Sequence, residues 1–394
     1  MESFYQTHHH LLTHLPSHMI RRGLMDEIDR DKRLIGIKGS RGSGKTILLL
    51  SFAKEFYGLH NRECLYINLN HFFFTERSLV DFAGVFYAQG GKTLLLDQVF
   101  KYPAWSKELR TCYDTYPELQ IIFTGSAVMR LDVENPDLAD IVTVYQLRGF
   151  SFREFLNLTT DTQFHAYQLQ DILLNHQILA EDIVNHLHKK VQPHFNDYLH
   201  HGFYPFFLEK RNFSENLLKT MNMTLEVDVM YIRQIEQRYL PKLRKLLYRI
   251  ALEAPCTPNV SQLSKELDIS RATVMNYIKY LKDARLINML YSVGEEYPKR
   301  PSTIFMYNTN LLHAVVQNPV DSLTEYKTFF YNQLLKGNTI NEGDNHADFT
   351  INNEHLFCIK ANRFFTNNPL CYYVVNMDVG EGNMIPLWLF GFLY

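Results

Sequence analysis

The segment Gly39-Ser40-Arg41-Gly42-Ser43-Gly44-Lys45-Thr46 has the residue types and the spacing to hold a polyphosphate. Its glycines let backbone N–H groups turn inward onto phosphate oxygens, in conformations that a side chain would block. Lys45 supplies positive charge to the β- and γ-phosphates, and the Thr46 hydroxyl is of the type that ligates Mg²⁺. A helix beginning at Thr46 adds the positive end of its dipole. The ligand implied is a nucleoside triphosphate with Mg²⁺, and ATP is the expected one.

Such a loop needs a second element, a buried strand ending in an acid that helps to hold the metal. Thr93-Leu94-Leu95-Leu96-Asp97 fits, with Asp97 at the carboxyl end of the strand, where ligands of open α/β sheets gather. The next residue bears on hydrolysis. A Glu there could polarise the attacking water, but this chain has Gln98, which keeps the hydrogen bonds and lacks the charge of a carboxylate base. A third strand ends in Thr124-Gly125-Ser126. Thr124 and Ser126 are either sensors of the γ-phosphate or plain turn residues.

These residues need a scaffold. Short apolar strands are expected at Leu34–Lys38, Cys64–Leu69, Thr93–Asp97, Gln120–Thr124 and Val142–Leu147, with helices at Thr46–Tyr57, Ser78–Phe86 and Trp105–Tyr116. That alternation predicts a parallel sheet covered on both faces, within a nucleotide-binding domain over residues 1–150. Helix periodicity then runs over 151–236, a compact helix-turn-helix pattern over 237–310, and a β-rich aromatic segment over 311–394.

The string from Leu94 through Tyr102 and Trp105 to Phe123-Thr124-Gly125-Ser126, and then Gly149-Phe150-Ser151-Phe152-Arg153-Glu154-Phe155, resembles the prokaryotic AAA-type ATPases of uncharacterised role. The closing Gly382-Asn383-Met384-Ile385-Pro386-Leu387-Trp388 is similar to the end of those proteins, so the resemblance spans essentially the whole chain. It implies a P-loop ATPase domain, a helical lid subdomain, a winged helix and a C-terminal α+β domain like a restriction nuclease. The departures also matter. The family usually reads Asp-Glu where this chain has Asp97-Gln98, and carries arginines before the Ser-Phe-Arg-Glu-Phe signature where this chain has Ala139-Asp140-Ile141. Both changes remove parts used for hydrolysis and keep parts used for binding.

In the winged-helix segment, Ser261–Leu267 predicts one helix, Asp268-Ile269 a turn, and Ser270 the cap of a second helix from Arg271 to Leu281. Val274, Ile278 and Leu281 share one face, leaving Arg271, Thr273, Asn276, Lys279 and Lys282 towards solvent. A hairpin through Ile287–Ser292 and Thr303–Tyr307 would form the wing. In a DNA reader, Arg271, Thr273 and Asn276 face base edges and the lysines face phosphates; the same fold also serves protein contacts or acts as a spacer. In the C-terminal segment, Asp348 and Lys360 fit a nuclease pattern. However, Cys358 stands where a carboxylate should be, and Lys327 where the resemblance predicts an acid. One carboxylate cannot replace three around Mg²⁺, so no nuclease activity is expected.

Composition sets the outer limits. Forty basic residues against 42 acidic ones give a net charge of −2, which excludes general coating of polyanions, so any DNA contact must come from a local patch. Five scattered cysteines without a CxxC pair read as reduced thiols, and His8-His9-His10 as solvated surface rather than a metal site. With no basic-then-apolar leader and no membrane-length apolar run, a soluble cytoplasmic chain is expected. Three roles stand open: an ATP-dependent switch or scaffold with weak or absent hydrolysis, a slow ATPase motor acting on DNA or protein, and an ATP-gated DNA-binding regulator.

Overall fold

The computed structural model describes residues 1–16, 19–131, 135–209, 212–344, 346–362 and 370–394. The chain divides into two compact units, Met1–Gly149 and Phe150–Tyr394.

The first unit is built on a five-stranded parallel sheet. Its strands are β1 (Leu34–Gly39), β2 (Cys64–Asn68), β3 (Thr93–Asp97), β4 (Gln120–Ser126) and β5 (Thr143–Gln146), in the order β2-β3-β4-β1-β5. β3 is buried along its whole length, as an apolar strand covered on both faces should be. Helices Lys45–Phe56, Leu79–Ala88 and Trp105–Thr115 provide the crossovers, each within two residues of its expected place. The first and last follow the residues expected for them, and Leu79–Ala88 runs slightly beyond Phe86. A helix over Glu2–Thr13, absent from the reading of the sequence, packs beside the edge strand β2. It corrects one expectation: His8 is buried, not solvated, and its Nδ1 accepts the backbone N–H of Tyr66 at 2.9 Å. The helix thus closes a donor on an otherwise open sheet edge.

The parallel register sets what gathers at one end of the sheet. Gly39 pairs with Ser126 and Ile37 with Thr124, while Leu96 of β3 pairs with Phe123. The last residues of β1, β3 and β4 are therefore neighbours.

The second unit opens with helix Phe152–Thr160, and its first turn explains the Ser-Phe-Arg-Glu-Phe string. Ser151 Oγ accepts the N–H of Glu154 at 3.1 Å, and Glu154 accepts the N–H of Ser151 at 3.1 Å, a reciprocal cap buried in the core. Phe152 and Phe155 are buried, and Arg153 donates to the carbonyls of Phe164 and Tyr394, each at 3.1 Å. Helices Leu169–Leu187, Val191–Asp197 and Phe213–Met223 follow, interrupted by π-helical turns at Tyr198–Gly202 and Thr224–Val229.

Helices Leu240–Glu253, Val260–Leu267 and Arg271–Asp283 precede an antiparallel hairpin of β6 (Ile287–Leu290) and β7 (Thr303–Met306). The last sheet has β8 (Ile340–Glu342), β9 (Phe349–Ile351), β10 (His355–Lys360), β11 (Cys371–Val375) and β12 (Met384–Pro386), in the order β12-β11-β10-β9-β8. Trp388, Phe390 and Phe392 of the turn Leu387–Phe392 are fully buried in this unit. Among the described residues no helix is long and apolar enough to cross a membrane.

Candidate nucleotide-binding site

The loop Gly39–Thr46 runs from the end of β1 into helix Lys45–Phe56. Gly42 and Gly44 adopt φ of 80° and 93°, the left-handed region where a Cβ is strained. Because the cap residue Gly44 has no side chain, no cap side chain competes for the first-turn N–H groups, the arrangement that suits a bound phosphate. Lys45 Nζ folds back onto the loop and donates to Gly39 O at 2.9 Å and Ser40 O at 2.8 Å. Ser43 Oγ is fully buried and, among the described residues, has no hydrogen-bond partner, an orphan that a phosphate oxygen would satisfy. Arg41 lies partly exposed in the same loop.

Thr46 and Asp97 come together at 2.7 Å, Oγ1 donating to Oδ2. A hydroxyl and a buried carboxylate at this distance, one on the phosphate loop and one on β3, form the pair that would hold Mg²⁺ and its waters. Asp97 also accepts from Tyr66 OH at 2.9 Å, from Thr124 Oγ1, and from the N–H of Gln98 at 3.1 Å. Burial and the Asp97 carboxylate push the Tyr66 phenol up, so it stays a donor. The donor set fits a metal–triphosphate complex, in which bound Mg²⁺ would neutralise charge on the phosphates.

Gln98 sits in a left-handed conformation, φ 57°, and its N–H also reaches Thr124 Oγ1 at 3.1 Å. The Thr124 proton is thus given to Asp97, and Ser126 lies buried at the end of β4, its Oγ 3.4 Å from the N–H of Val128. Asp140 turns to helix Trp105–Thr115, where Arg110 Nη1 holds it at 2.9 Å.

Two contributors escaped the reading of the sequence. Tyr66 is one; its only signal was a polar-tipped ring on an apolar strand next to β3. Arg22 is the other. Its guanidinium donates to Ser43 O at 3.1 Å, Arg148 O at 2.8 Å and Gly149 O at 3.1 Å, tying the phosphate loop to the last residues of the first unit.

In the second unit the residues expected to face DNA lie on one helix with different surroundings. Arg271 and Lys282 are exposed. Thr273 Oγ1 lies 2.8 Å from the cap hydroxyl of Ser270, and Asn276 Oδ1 accepts from Tyr297 OH at 2.5 Å. Lys279 departs from its expected place towards solvent: its side chain is 19% exposed and paired with Asp283 at 3.1 Å, because the helix turns this side onto Arg233 and Tyr297. At the C-terminal sheet, Lys327 pairs with Asp348 at 2.6 Å, Asp348 also accepts the N–H of Ile359 at 2.7 Å, and the Cys358 and Cys371 sulfurs lie 3.0 Å apart.

Residues 31–156 match the family described as an AAA domain, and residues 192–322 match a domain of unknown function. The chain is similar to an uncharacterized protein of Methanocaldococcus jannaschii, 27% identical over 283 residues, which covers 68% of this chain and 59% of the relative. The match therefore spans less than two thirds of that relative's length. Among solved structures, the Aeropyrum pernix ORC1 protein in complex with DNA covers 81% of this chain and 92% of its own, at 10% identity and a TM-score of 0.30. C. elegans PCH-2 covers 40% and 44%, at 17% identity and a TM-score of 0.25. Superpositions that loose leave the domain match as the ground for assignment. That match lies over the phosphate loop, Asp97 and the five-stranded parallel sheet, so residues 31–156 form an AAA-type P-loop ATPase domain.

Proposed function

We propose that this protein is an ATP-dependent switch or scaffold in which Mg²⁺–ATP binding persists and hydrolysis is weak or absent. The observation that carries the reading is the contrast between Asp97 and Gln98. The metal-side carboxylate is held by Thr46, Tyr66 and Thr124, while the neighbouring position offers an amide in place of a base. An amide orients water but cannot take its proton. Arg22 offers a route from nucleotide to the rest of the chain, since triphosphate ordering the loop at Ser43 also loads the carbonyls of Arg148 and Gly149, just before the second unit begins.

Single-turnover hydrolysis of labelled ATP tests this reading. Gln98→Glu should raise the rate measurably but by less than the roughly 10²–10⁴-fold that a positioned base contributes in a complete site. The remainder is missing because Ala139-Asp140-Ile141 supplies no arginine, and Asp140 is tied to Arg110. Adding Ala139→Arg should raise the rate further. Brisk wild-type turnover that Gln98→Glu leaves unchanged favours the motor reading instead.

A further inference from the structure

We infer that His200, His313 and Glu325 form a binding site for a divalent transition-metal ion, with Zn²⁺ the best-matched candidate. Their ligand atoms all lie within 4.8 Å of one another. The three residues come from three elements: His200 from the π-helical turn Tyr198–Gly202, His313 from helix Thr309–Val315, and Glu325 from the first turn of helix Ser322–Leu334. Two imidazoles and one carboxylate are a ligand set used by zinc sites that keep a position open, and by other first-row divalent ions.

The elements are locked by buried polar contacts. A π-helical turn leaves carbonyls out of the regular ladder, and helix Thr309–Val315 takes them up. Thr309 Oγ1 donates to Leu199 O at 2.5 Å, and Asn310 Nδ2 to Tyr198 O and Leu199 O at 3.0 and 2.9 Å. Asn310 Oδ1 accepts the N–H of Phe203, and Gln333, from the helix of Glu325, reaches Tyr198 OH at 3.2 Å. Thr309, Asn310 and Gln333 are all buried, so the backbone under each ligand is fixed before any ion arrives.

The side chains are also set up for ligation. His200 Nδ1 lies 2.9 Å from Asn196 O; a carbonyl only accepts, so Nδ1 carries the proton and Nε2 keeps its lone pair. His313 Nε2 donates to Glu325 Oε1 at 2.6 Å, both side chains largely shielded from solvent. An ion bound there takes the Nε2 lone pair of the other neutral tautomer: the proton leaves Nε2 for solvent, one is taken up at Nδ1, and the imidazole stays neutral. The His200 ring now stacks on His313 with centroids 4.1 Å apart and planes at 15°. Two ligand atoms of a tetrahedral zinc ion, each about 2.05 Å from it, stand ~3.3 Å apart. The exposed His200 ring closes the difference by turning about its own torsions.

The test uses the full chain carrying His10→Ala and His14→Ala, which removes the exposed histidine pair on the first helix. Zn²⁺ competition against a chromophoric chelator should give one ion per chain. His313→Ala should weaken binding by more than about 100-fold, beyond what loss of an outer-sphere partner costs, and Glu325→Gln and His200→Ala should each weaken it at least about 10-fold. Co²⁺ should give visible d–d bands that His313→Ala abolishes. Should His313→Ala unfold, the exposed His200 variant decides. Absence of Zn²⁺ binding in the parent, or binding unchanged by His200→Ala and Glu325→Gln, overturns the site.

Discussion

Asp97 does not act alone, because its orientation is passed down from residues far from it in the chain. Tyr66 OH holds its Oδ2, and the backbone N–H of Tyr66 is held in turn by His8 Nδ1. Burial, with His9 adding to it, holds the His8 imidazole at about 4 instead of 6.5, so it is neutral and accepts that N–H. The unfolded chain takes up a proton here near pH 6.5 and the folded chain only near pH 4. Between those values the unfolded state binds more protons. The stability from His8 is therefore complete above pH 6.5 and is lost as pH falls towards 4, by up to about 1 kcal/mol per pH unit. Urea unfolding from pH 7 to pH 4 should show this slope, and His8→Asn, which keeps an acceptor without the titration, should flatten it. Parallel curves for the two proteins would remove His8 from this role.

At the scale of elements, the turn that opens the second unit joins local chemistry to packing. Ser151 and Glu154 exchange hydrogen bonds while Phe152 and Phe155 enter the core, so cap and core fix the same helix start. Ser151→Ala should cost about 1–2 kcal/mol, because the N–H of Glu154 is then left without its acceptor in a buried place. Equilibrium unfolding by denaturant measures it; an unchanged midpoint would mean that packing alone sets this turn. Most elements of this kind were legible in the sequence. Capping residues, apolar strands and turn glycines act within a few residues of one another, and the helix–turn–helix of Val260–Leu267 and Arg271–Asp283 was readable from Ser270 and the spacing of Val274, Ile278 and Leu281. The hairpin after it pairs Ile287–Leu290 with Thr303–Met306 and stops short of Ser292 and Tyr307.

At the scale of the molecule, legibility ends where residues from distant segments meet. Thr46 and Asp97 could be read because a phosphate loop demands a metal-side acid on a neighbouring strand. Nothing demanded Tyr66, Arg22 or His8, whose contacts arise from the sheet order and from the packing of distant segments, His8 from the first helix beside β2. Lys279 was misplaced because helical spacing gives a face but not the Asp283 and Arg233 that turn it inward. His200, His313 and Glu325 were invisible for the same reason, their meeting set by a π-helical turn that no local pattern announced.

In the proposed function, Gly39–Thr46 and Asp97 bind Mg²⁺–ATP and retain it uncleaved. The most direct measurement incubates the protein with labelled ATP and Mg²⁺, separates it from free nucleotide, and identifies what stays bound. Intact triphosphate near one per chain is expected, lost in Lys45→Ala, a variant that should still fold because the Lys45 charge serves the loop and not the core. Equal retention by folded Lys45→Ala, or recovery of diphosphate and free phosphate from the wild type, would contradict it.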